Sequence, residues 1–380
     1  MRAGPLKESR IIEFAGLGAA PMAAMMLADM GADVIRIDRP GPTLMDQWPK
    51  EFDVCARNRT SISLDLKKPE GIELALRLIE TADGLIEGFR PGVAERLGFG
   101  PDVCLARNPR LVYGRMTGWG QEGPLAHHAG HDINYIALTG ALSAIGGEGQ
   151  PPSIPLNLIG DGGGAMLMAF GMVSGFYEAL RSGQGQVVDV AMVDAAALLY
   201  APGFAFEAAR DPASPRGTRE GNGGAPYYNV YETADGKYVS VGAIEPQFYA
   251  RLTEGMGFAS GELPDRTKKS NWPVLKVIFA KRFATKTRAE WNAILGSSET
   301  CYAPVLSARE ALEHPHALAR QSYRNIDGVN QPAPAPRFSR SNATETTVPA
   351  LPGADTNELL RQLGLGDDEI AALQRNATIV

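Results

Sequence analysis

The feature that most constrains the fold of this 380-residue chain is an alternation of short apolar runs with helical periodicity in its first half. Residues 10–14 predict a strand, a turn with two glycines follows, and residues 19–30 predict a helix before a second strand at 33–37. Further strands are predicted at 61–65, 84–87, 110–116 and 186–190, and further helices at 69–81 and 162–181. Strands alternating with helices indicate an α/β fold with a parallel sheet covered on both faces. The helix at 162–181 is apolar on nearly every side, which favours a central position.

The second half of the chain has a different pattern. Residues 211–226 are rich in proline, glycine and arginine, which indicates a linker or a functional loop. A β-hairpin is predicted at 228–241, and helices begin near Gln247, Trp272 and Ala289. Prolines indicate an extended connection at 327–353, and the last 25 residues predict two short helices.

Composition excludes several classes of protein. The net charge of −6 argues against a nucleic-acid partner. Cys55, Cys104 and Cys301 show no close spacing, which argues against a disulfide scaffold and a zinc site. We find no secretory signal and no apolar run long enough to span a bilayer. We therefore expect a cytoplasmic protein without a nucleic-acid or membrane partner.

Two potential proton carriers lie in glycine-containing segments, where loops are predicted to become helices. His131 follows Gly130, and Asp161 precedes three consecutive glycines. Taken alone, each is more simply explained as a structural residue, with Asp161 as a helix N-cap. An unperturbed imidazole has a pKa of about 6.5 and can act as base or acid, whereas a carboxyl group needs a raised pKa to deliver a proton at neutral pH. Two such groups on opposite sides of a carbon acid would serve a racemase.

The first strand–helix–strand unit is a candidate nucleotide site. Gly16 and Gly18 resemble the start of a dinucleotide fingerprint, but Pro21 stands where its third glycine would fall. Asp38 ends the second strand, as the ribose-binding acid of an NAD site would. The cations beside and after it suit a ribose phosphate, as in NADP or coenzyme A; the alternative is the solvated rim of an ordinary sheet. These cations are Arg36, Arg39, Arg57, Arg59, Lys67, Lys68, Arg90 and Arg96.

Several motifs, in order along nearly the whole chain, resemble those of the class III CoA-transferase superfamily. They include Arg36-Ile37-Asp38-Arg39-Pro40, Leu64-Asp65-Leu66-Lys67, Glu87-Gly88-Phe89-Arg90-Pro91-Gly92-Val93 and Glu95-Arg96-Leu97-Gly98. Later motifs are similar to those of its α-methylacyl-CoA racemase branch. These are Met116-Thr117-Gly118-Trp119-Gly120, Gly130-His131-Asp132-Ile133-Asn134-Tyr135, Asn157-x-x-Gly160-Asp161 and Val241-Gly242-Ala243-Ile244-Glu245.

The resemblance implies a Rossmann-like large domain built from both chain ends and a smaller α+β domain. It also implies an interlocked homodimer, with each active site where the large domain of one subunit meets the small domain of the other. We accordingly expect the first part of the large domain at 1–200, linkers at 201–226 and 316–350, the small domain at 227–315, and C-terminal helices at 351–380 that return to the large domain.

The resemblance further implies a racemase that interconverts (2R)- and (2S)-2-methylacyl-CoA thioesters by two-base proton transfer through an enolate. His131 and Asp161 would be the two bases, and Asn157 would orient Asp161. Glu245 would lie beside the imidazole across the subunit interface. We expect Asp132 to be the N-cap of a helix at about 133–142, with its backbone N–H donating to the enolate oxygen.

Binding of the CoA moiety would rest on cations and backbone groups. Arg39 is expected at the ribose phosphate and Arg96 at the diphosphate. The remaining expected contacts are Lys67, Arg90, Tyr135 and the backbone of Leu64, Leu66 and Gly88. Coenzyme A is part of the substrate, so no separate cofactor and no metal are expected.

Three alternatives remain at this stage. A class III CoA-transferase would use Asp161 as a nucleophile that forms a mixed anhydride, and would not need an imidazole at position 131. A non-catalytic CoA-binding or assembly protein would retain these polar groups without using them. An NADP-dependent reductase is disfavoured by the incomplete glycine fingerprint.

Overall fold

The computed structural model describes residues 3–41, 49, 52–209 and 215–380. The chain forms two compact units, and we describe each by itself. The first comprises Met1–Thr139, Leu156–Ala201 and Gln321–Val380, and the second Gly140–Pro155 and Pro202–Arg320. The sequence places residues 140–155 in the large domain, whereas in the structure they group with the second unit. Part of the linker predicted at 201–226, residues 210–214, lies outside the described residues.

The strands follow most of the predicted pattern. In chain order they are β1 (Arg10–Phe14), β2 (Asp33–Asp38), β3 (Arg59–Ser63), β4 (Gly84–Glu87), β5 (Val112–Thr117), β6 (Gln186–Ala191), β7 (Tyr228–Glu232), β8 (Tyr238–Gly242), β9 (Tyr302–Pro304), β10 (Tyr323–Ile326) and β11 (Val329–Pro332). The hairpin β10–β11 overlaps the start of the connection predicted to be extended at 327–353, because β11 lies within that segment.

The helices are α1 (Ala19–Asp29), α2 (Pro69–Glu80), α3 (Val93–Leu97), α4 (Pro101–Arg107), α5 (Asp132–Leu138), α6 (Ala141–Ala144), α7 (Gly160–Ser182), α8 (Met192–Leu199), α9 (Ala201–Ala209), α10 (Pro246–Gly255), α11 (Trp272–Phe283), α12 (Arg288–Leu295), α13 (Ala308–Glu313), α14 (Pro315–Arg320), α15 (Thr356–Gln362) and α16 (Asp367–Arg375). Pro at the first or second position of α2, α4, α10 and α11 favours initiation there, because that position needs no N–H donor.

A parallel sheet is the centre of the first unit, which confirms the predicted α/β class. Among the described residues, six strands pair in the order β3-β2-β1-β4-β5-β6, and every neighbouring pair is parallel. The chain adds β2 and β3 on one side of β1 and then adds β4, β5 and β6 on the other side, so the strand order reverses between β1 and β4. In open sheets of this Rossmann type, ligands bind beyond the carboxyl ends of the strands at such a reversal.

Successive strand residues point to opposite sides of the sheet, which gives it two apolar faces. The α2 face carries Ile12, Phe14, Ile35, Ile37 and Leu85 and packs against α2, α15 and α16. The α7 face carries Ile11, Val34, Ile86, Val112 and Met116 and packs against α1 and α7. Both faces are therefore covered by helices of the same chain.

Helix α7 departs from its predicted environment. It is central, but it is not buried on every side, because one side bears large exposed apolar residues. These are Met166, Phe170, Val173, Tyr177 and Leu180. Its buried side is rich in glycine, alanine and methionine, and a Cβ atom at Gly175 would lie 2.6 Å from Cγ1 of Val112. The glycines therefore let α7 approach the sheet closely, while the bulk of its apolar surface faces outward.

The second unit contains a small antiparallel sheet in the order β7-β8-β9, with α10, α11 and α12. Its core consists mainly of aromatic and aliphatic side chains. They include Tyr231, Val239, Leu252, Phe279, Phe283 and Trp291. The predicted hairpin between residues 228 and 241 is confirmed by the β7–β8 pairing.

Within the described residues, no single helix combines the length and apolar composition needed to cross a bilayer. Helices α8 and α9 meet these criteria only when taken together, and they are bent by 50° relative to each other.

Candidate active site

Two helix starts in the first unit carry the predicted proton carriers. Helix α5 has His131 as its N-cap, so Asp132 is the first helical residue rather than the cap that the sequence predicts. The helix also ends at Leu138, short of the predicted end at 142. Helix α7 begins at Gly160, which places Asp161 in its first turn rather than at an N-cap.

Asp161 faces the turn between β1 and α1. A Cβ atom at Gly18 would lie 3.3 Å from Oδ2 of Asp161, and Gly18 has a positive φ of 74°. At the end of β4, a Cβ atom at Gly88 would lie 3.5 Å from Cβ of Ala20 in the first turn of α1. The Asp161 carboxylate therefore lies at the carboxyl edge of the sheet, next to the reversal of strand order.

The surroundings of Asp161 favour its protonated form. Burial raises the pKa of the Asp161 carboxyl, and the negative charge of Asp132 raises it further. The positive charge of His131 and a hydrogen bond from Nδ2 of Asn157 to Oδ2, 3.2 Å long, act in the opposite direction. The amide of Asn157 thus contacts the Asp161 carboxylate, while its orienting role stays a prediction. The imidazole of His131 lies close enough for its charge to act on the same carboxylate.

Asp132 joins the two helix starts. Its Oδ1 accepts hydrogen bonds from the backbone N–H groups of Gly160, at 2.6 Å, and Asp161, at 2.9 Å. The side chain therefore caps α7 and not its own helix. The backbone N–H of Asp132 lies in the first turn of α5, where no intrahelical acceptor is available.

His131 is exposed, and its backbone is held by two hydrogen bonds with Asn134. Its N–H donates to Oδ1 of Asn134 at 3.0 Å, and its carbonyl accepts from the N–H of Asn134 at 2.8 Å. The structure thus brings His131, Asp132, Asn157 and Asp161 together at one edge of the sheet.

Tyr135 lies beside this group. Its hydroxyl donates to the carbonyl of Gly130, and its ring packs edge-on against Trp119, with centroids 4.8 Å apart. Burial raises the pKa of Tyr135, the charge of Asp161 raises it further, and Arg90 lowers it. The sequence does not predict that Trp119 lies at this site, although its position between Gly118 and Gly120 is a signal for an aromatic residue that packs at a loop.

The remaining predicted CoA contacts lie at or beyond the carboxyl ends of β2, β3 and β4. The side chains of Arg39, Lys67, Arg90 and Arg96 are exposed, as is Gly88. Leu66 is half-buried against the α2 face. The N–H of Leu64 donates to the carbonyl of Asp38 at 2.9 Å, so this amide is engaged within the fold and is not open to an adenine ring.

Two other cations do not belong to a phosphate site. Arg57 is 2% exposed and binds Asp29, and Arg59 is 5% exposed and binds Glu13. The interpretation of these two arginines as phosphate ligands is therefore wrong, because both are almost entirely buried and paired with carboxylates.

Asp38 is likewise committed within the fold. Its Oδ2 accepts from Nε of Arg36 at 2.7 Å and from Oγ of Ser61 at 2.6 Å. This carboxylate therefore does not correspond to the ribose-binding acid of a dinucleotide site.

Glu245 belongs to the second unit, where it is exposed and is the N-cap of α10. The preceding backbone is held by Arg266, which donates to the carbonyls of Ala243 at 3.1 Å and Ile244 at 2.8 Å. The guanidinium of Arg266 in turn lies over the rings of Tyr227 and Tyr249. The backbone that precedes Glu245 is thus held by side-chain contacts of Arg266, and the placement of Glu245 beside the imidazole stays a prediction.

In the part of the chain that the structure describes, no group of three or more His, Cys, Asp or Glu side chains could hold a metal ion. Cys55, Cys104 and Cys301 are free cysteines.

The chain is similar to known proteins in its sequence and in its structure. The Mus musculus protein named alpha-methylacyl-CoA racemase is 42% identical over 378 residues, which cover 98% of this chain and 97% of that protein. The Homo sapiens protein of the same name is 40% identical over 381 residues, covering 97% of this chain and 96% of that protein. A crystal structure of a CaiB/BaiF family protein from Brucella suis has the same fold, with a TM-score of 0.84, 24% identity, and coverage of 95% of this chain and 100% of that one. Residues 6–356 match the model of CoA-transferase family III, and the chain therefore belongs to that family.

Proposed function

We propose that this protein is an isomerase that interconverts (2R)- and (2S)-2-methylacyl-CoA thioesters. The observation that carries the proposal is the meeting of an imidazole-bearing and a carboxylate-bearing helix start at one edge of the sheet, around His131 and Asp161. The chain is 42% identical to a protein named alpha-methylacyl-CoA racemase, in agreement with this reading.

The chemistry requires two proton transfers at C2 of the acyl group. One base removes the C2 proton, the C–H electron pair forms a C1–C2 double bond, and the carbonyl electron pair moves onto the thioester oxygen. The conjugate acid of the other base then returns a proton to the opposite face, and the C1–O double bond re-forms. His131 and Asp161 alternate as base and acid, and the raised pKa of Asp161 suits it for returning a proton.

Other residues support these two. Asn157 orients the Asp161 carboxylate through its hydrogen bond. The backbone N–H of Asp132, at the start of α5, stabilises the enolate oxygen. Glu245 holds the imidazole in one orientation and tautomer. For this last role, the small domain of a second subunit would supply Glu245.

The CoA moiety binds along the exposed cations at the carboxyl edge. Arg39 contacts the ribose phosphate and Arg96 the diphosphate, with Lys67 and Arg90 nearby and Tyr135 beside the thioester end. The adenine lies against the backbone of Leu66 and Gly88. The CoA carrier is part of the substrate, so the reaction requires no further cofactor. The protein works in the cytoplasm.

The active form is a homodimer of interlocked subunits. The outward apolar side of α7 supports this, because Phe170, Tyr177 and Leu180 are 69%, 62% and 75% exposed along a single helix side. Contiguous exposed apolar surface of this kind marks a site that another surface covers. Asp161 stands in the first turn of the same helix, and the exposed Met166 lies one further turn along it, so a partner that covers this side of α7 would extend toward the active site.

The test is proton NMR of a 2-methylacyl-CoA in heavy water with the purified protein. We expect the C2-hydrogen signal to disappear and the methyl doublet to collapse, without hydrolysis. Transfer of CoA to an added free carboxylate, without C2 exchange, would instead assign the transferase reaction with Asp161 as nucleophile. Binding of the thioester with neither reaction would favour a non-catalytic CoA-binding protein.

Variants assign the two bases. We expect His131→Ala and Asp161→Ala each to reduce the rate of interconversion of the (2R) and (2S) thioesters by about 10²- to 10⁴-fold, the usual contribution of a general acid or base. Asp83→Asn is the matched control, because Asp83 caps the amino end of β1 through the N–H of Arg10, at the opposite edge of the sheet. Its exchange rate is expected to equal that of the unchanged protein.

A further inference from the structure

The carboxylate of Asp132 has an unusual position for the first residue of a helix. It is 2% exposed, and it binds the first two backbone N–H groups of α7 through Oδ1. A Cβ atom at Gly160 would lie 2.6 Å from that oxygen, so the approach of α7 to Asp132 requires glycine at position 160. One buried side chain thus connects the start of α5 to the start of α7.

This connection links the two proposed bases. His131 precedes Asp132 in the chain, and the N–H of Asp161 is one of the two donors to Asp132. Any movement of the α5 start relative to the α7 start must therefore stretch or break these hydrogen bonds. An error of about 1 Å in the placement of a catalytic group can reduce a rate by about 10²-fold.

The second oxygen of Asp132 carries charge without a compensating contact. Among the described residues, Oδ2 is buried and has no hydrogen-bond partner. The N-terminal end of α7, a helix of 23 residues, offsets part of this charge through its dipole. The remainder acts at short range on the neighbouring Asp161 carboxyl.

We infer that Asp132 is a positioning residue whose carboxylate fixes the first turn of α7, and with it Asp161, relative to His131. The buried charge of the same carboxylate lies next to Asp161 and also favours the protonated form of that neighbour. The inference deepens the proposed function and rests on it for its catalytic consequence. Its electrostatic part concerns the free protein and can be measured without any substrate.

Other charges around Asp161 do not supply the same effect. From α5, His131 opposes it and Tyr135 is a neutral phenol at ordinary pH, with Arg90 acting on that phenol. The turn before α1 has no charged side chain, because it consists of Gly16, Leu17 and Gly18. On the other elements packed against α7, the charged groups act on one another: Arg115 of β5 binds Glu87 and Glu95, and Asp194 of α8 acts on Asp189 of β6.

Two substitutions separate the cap from the charge. Asp132→Asn keeps an oxygen that can accept from Gly160 and Asp161 but removes the charge, whereas Asp132→Ala removes both. The first measurement is a carbon-13 NMR titration of the aspartate carboxyl groups in the free protein, with the Asp161 signal assigned by its absence in Asp161→Asn. We expect the Asp161 titration to move to lower pH in Asp132→Asn and to remain unchanged in Asp83→Asn.

The second measurement is the loss of deuterium from a C2-deuterated 2-methylacyl-CoA in ordinary water between about pH 5 and 9. For Asp132→Asn we expect the acid limb of kcat/KM to move to lower pH, with KM within about twofold. For Asp132→Ala we expect kcat to fall about 10²-fold, with Asp132→Asn recovering most of this loss. Circular dichroism establishes that each variant is folded.

The outcomes distinguish the two levels of the argument. An Asp161 titration that is the same in Asp132→Asn and the unchanged protein overturns the inference, whatever reaction the protein performs. Equal kcat in Asp132→Ala and the unchanged protein overturns the positioning role. Absence of C2 exchange in the unchanged protein overturns the proposed function, while the titration still decides the electrostatic part.

Discussion

The two faces of the parallel sheet are covered in opposite ways. On the α2 face, α2 buries Leu74, Leu78 and Ile79 and exposes charged residues, of which Glu73 and Glu80 pair with Arg107. On the α7 face, α7 buries glycine, alanine and methionine and exposes its largest apolar side chains. The α2 face is thus complete within one chain, whereas the outer side of α7 still presents apolar surface to water.

The difference shows that a helix beside a sheet has two separate functions, to cover the sheet and to present a polar surface to water. Helix α2 does both, because its apolar and polar residues lie on opposite sides. Helix α7 does only the first, since its glycines give close contact with the sheet and its bulky residues point away from it. We attribute the outward residues to the proposed second subunit, and the comparison can be tested by matched substitutions on the two helices.

The largest effect is expected for an aspartate placed on the buried side of α2. Leu78 is 2% exposed, and Leu78→Asp would bury a carboxylate without a partner, at a cost of more than about 4 kcal/mol in the free energy of unfolding. Urea unfolding followed by circular dichroism measures it. Phe170→Asp is the matched change on α7; it is expected to leave the fold of each chain intact and to prevent the subunits from assembling as they fold, which halves the mass in sedimentation velocity. Unfolding of both variants, or an unchanged mass for Phe170→Asp, would remove the distinction between the helices.

The next effect concerns a buried ion pair on the α7 face. The side chains of Arg59 and Glu13 are both 0% exposed, with Nε 2.9 Å from Oε2. Arg59→Met leaves Glu13 buried without its partner, which is expected to lower the free energy of unfolding by about 3–5 kcal/mol. Urea midpoints give the value. The double variant Glu13→Gln/Arg59→Met is the control, and it is expected to recover part of the loss; a double variant no better than the single one would show that the arginine matters through packing.

A pH dependence is expected from Glu87, on the α2 face. Burial raises its pKa from 4.5 to about 7, against the opposing effects of the Phe89 N–H and Arg115. The folded state therefore holds a proton on Glu87 that the unfolded state has lost, so its contribution to stability is full below pH 4.5 and disappears as the pH rises through about 7. The change amounts to a few kcal/mol.

Urea unfolding at pH values between 4.5 and about 7 measures how the free energy of unfolding falls with pH. Glu87→Gln is expected to make this dependence weaker. The same slope in the variant and in the unchanged protein would assign the dependence to other groups.

The smallest effect tests the close approach of α7 to the sheet. A Cβ atom at Gly175 would lie 2.6 Å from Val112, so Gly175→Ala is expected to lower the free energy of unfolding by about 1–2 kcal/mol, overpacking outweighing the gain in helix propensity. At Gly162 the nearest atom would be 3.6 Å away. Gly162→Ala is therefore expected to be stabilising by a few tenths of a kcal/mol, up to about 1. If thermal or urea unfolding gives stability changes of the same sign for Gly175→Ala and Gly162→Ala, glycine is not needed for the close approach of α7 to the sheet.

The sequence predicts what depends on local pattern. The strands of the parallel sheet and helix α2 follow from periodicity and from end signals such as Pro69. The environment of helix α7 is harder to predict, because apolar residues on all sides are compatible both with a fully buried helix and with one whose outer side is covered by a second chain. Hydropathy does not distinguish these environments.

The site residues show the same limit. The motifs identify His131 and Asp161 as candidates, but the start of α7 is set by Asp132, almost thirty residues earlier. Arg57 and Arg59 look like surface cations in the sequence because their acidic partners, Asp29 and Glu13, come from other elements. Long-range hydrogen bonds of this kind have no local signature.

The C-terminal part of the first unit has a consequence for synthesis in the cell. The backbone of Ser63 in β3 binds Thr356 at the start of α15, across a separation of 293 residues. At translation rates of about 5–20 residues per second, roughly 15 to 60 s pass between the appearance of these two partners. During that interval the strands of the α2 face and helix α2 are completed, but the helices α15 and α16 that cover the rest of the face have not been made. We therefore expect part of the α2 face to remain exposed to water on the nascent chain until α15 and α16 emerge.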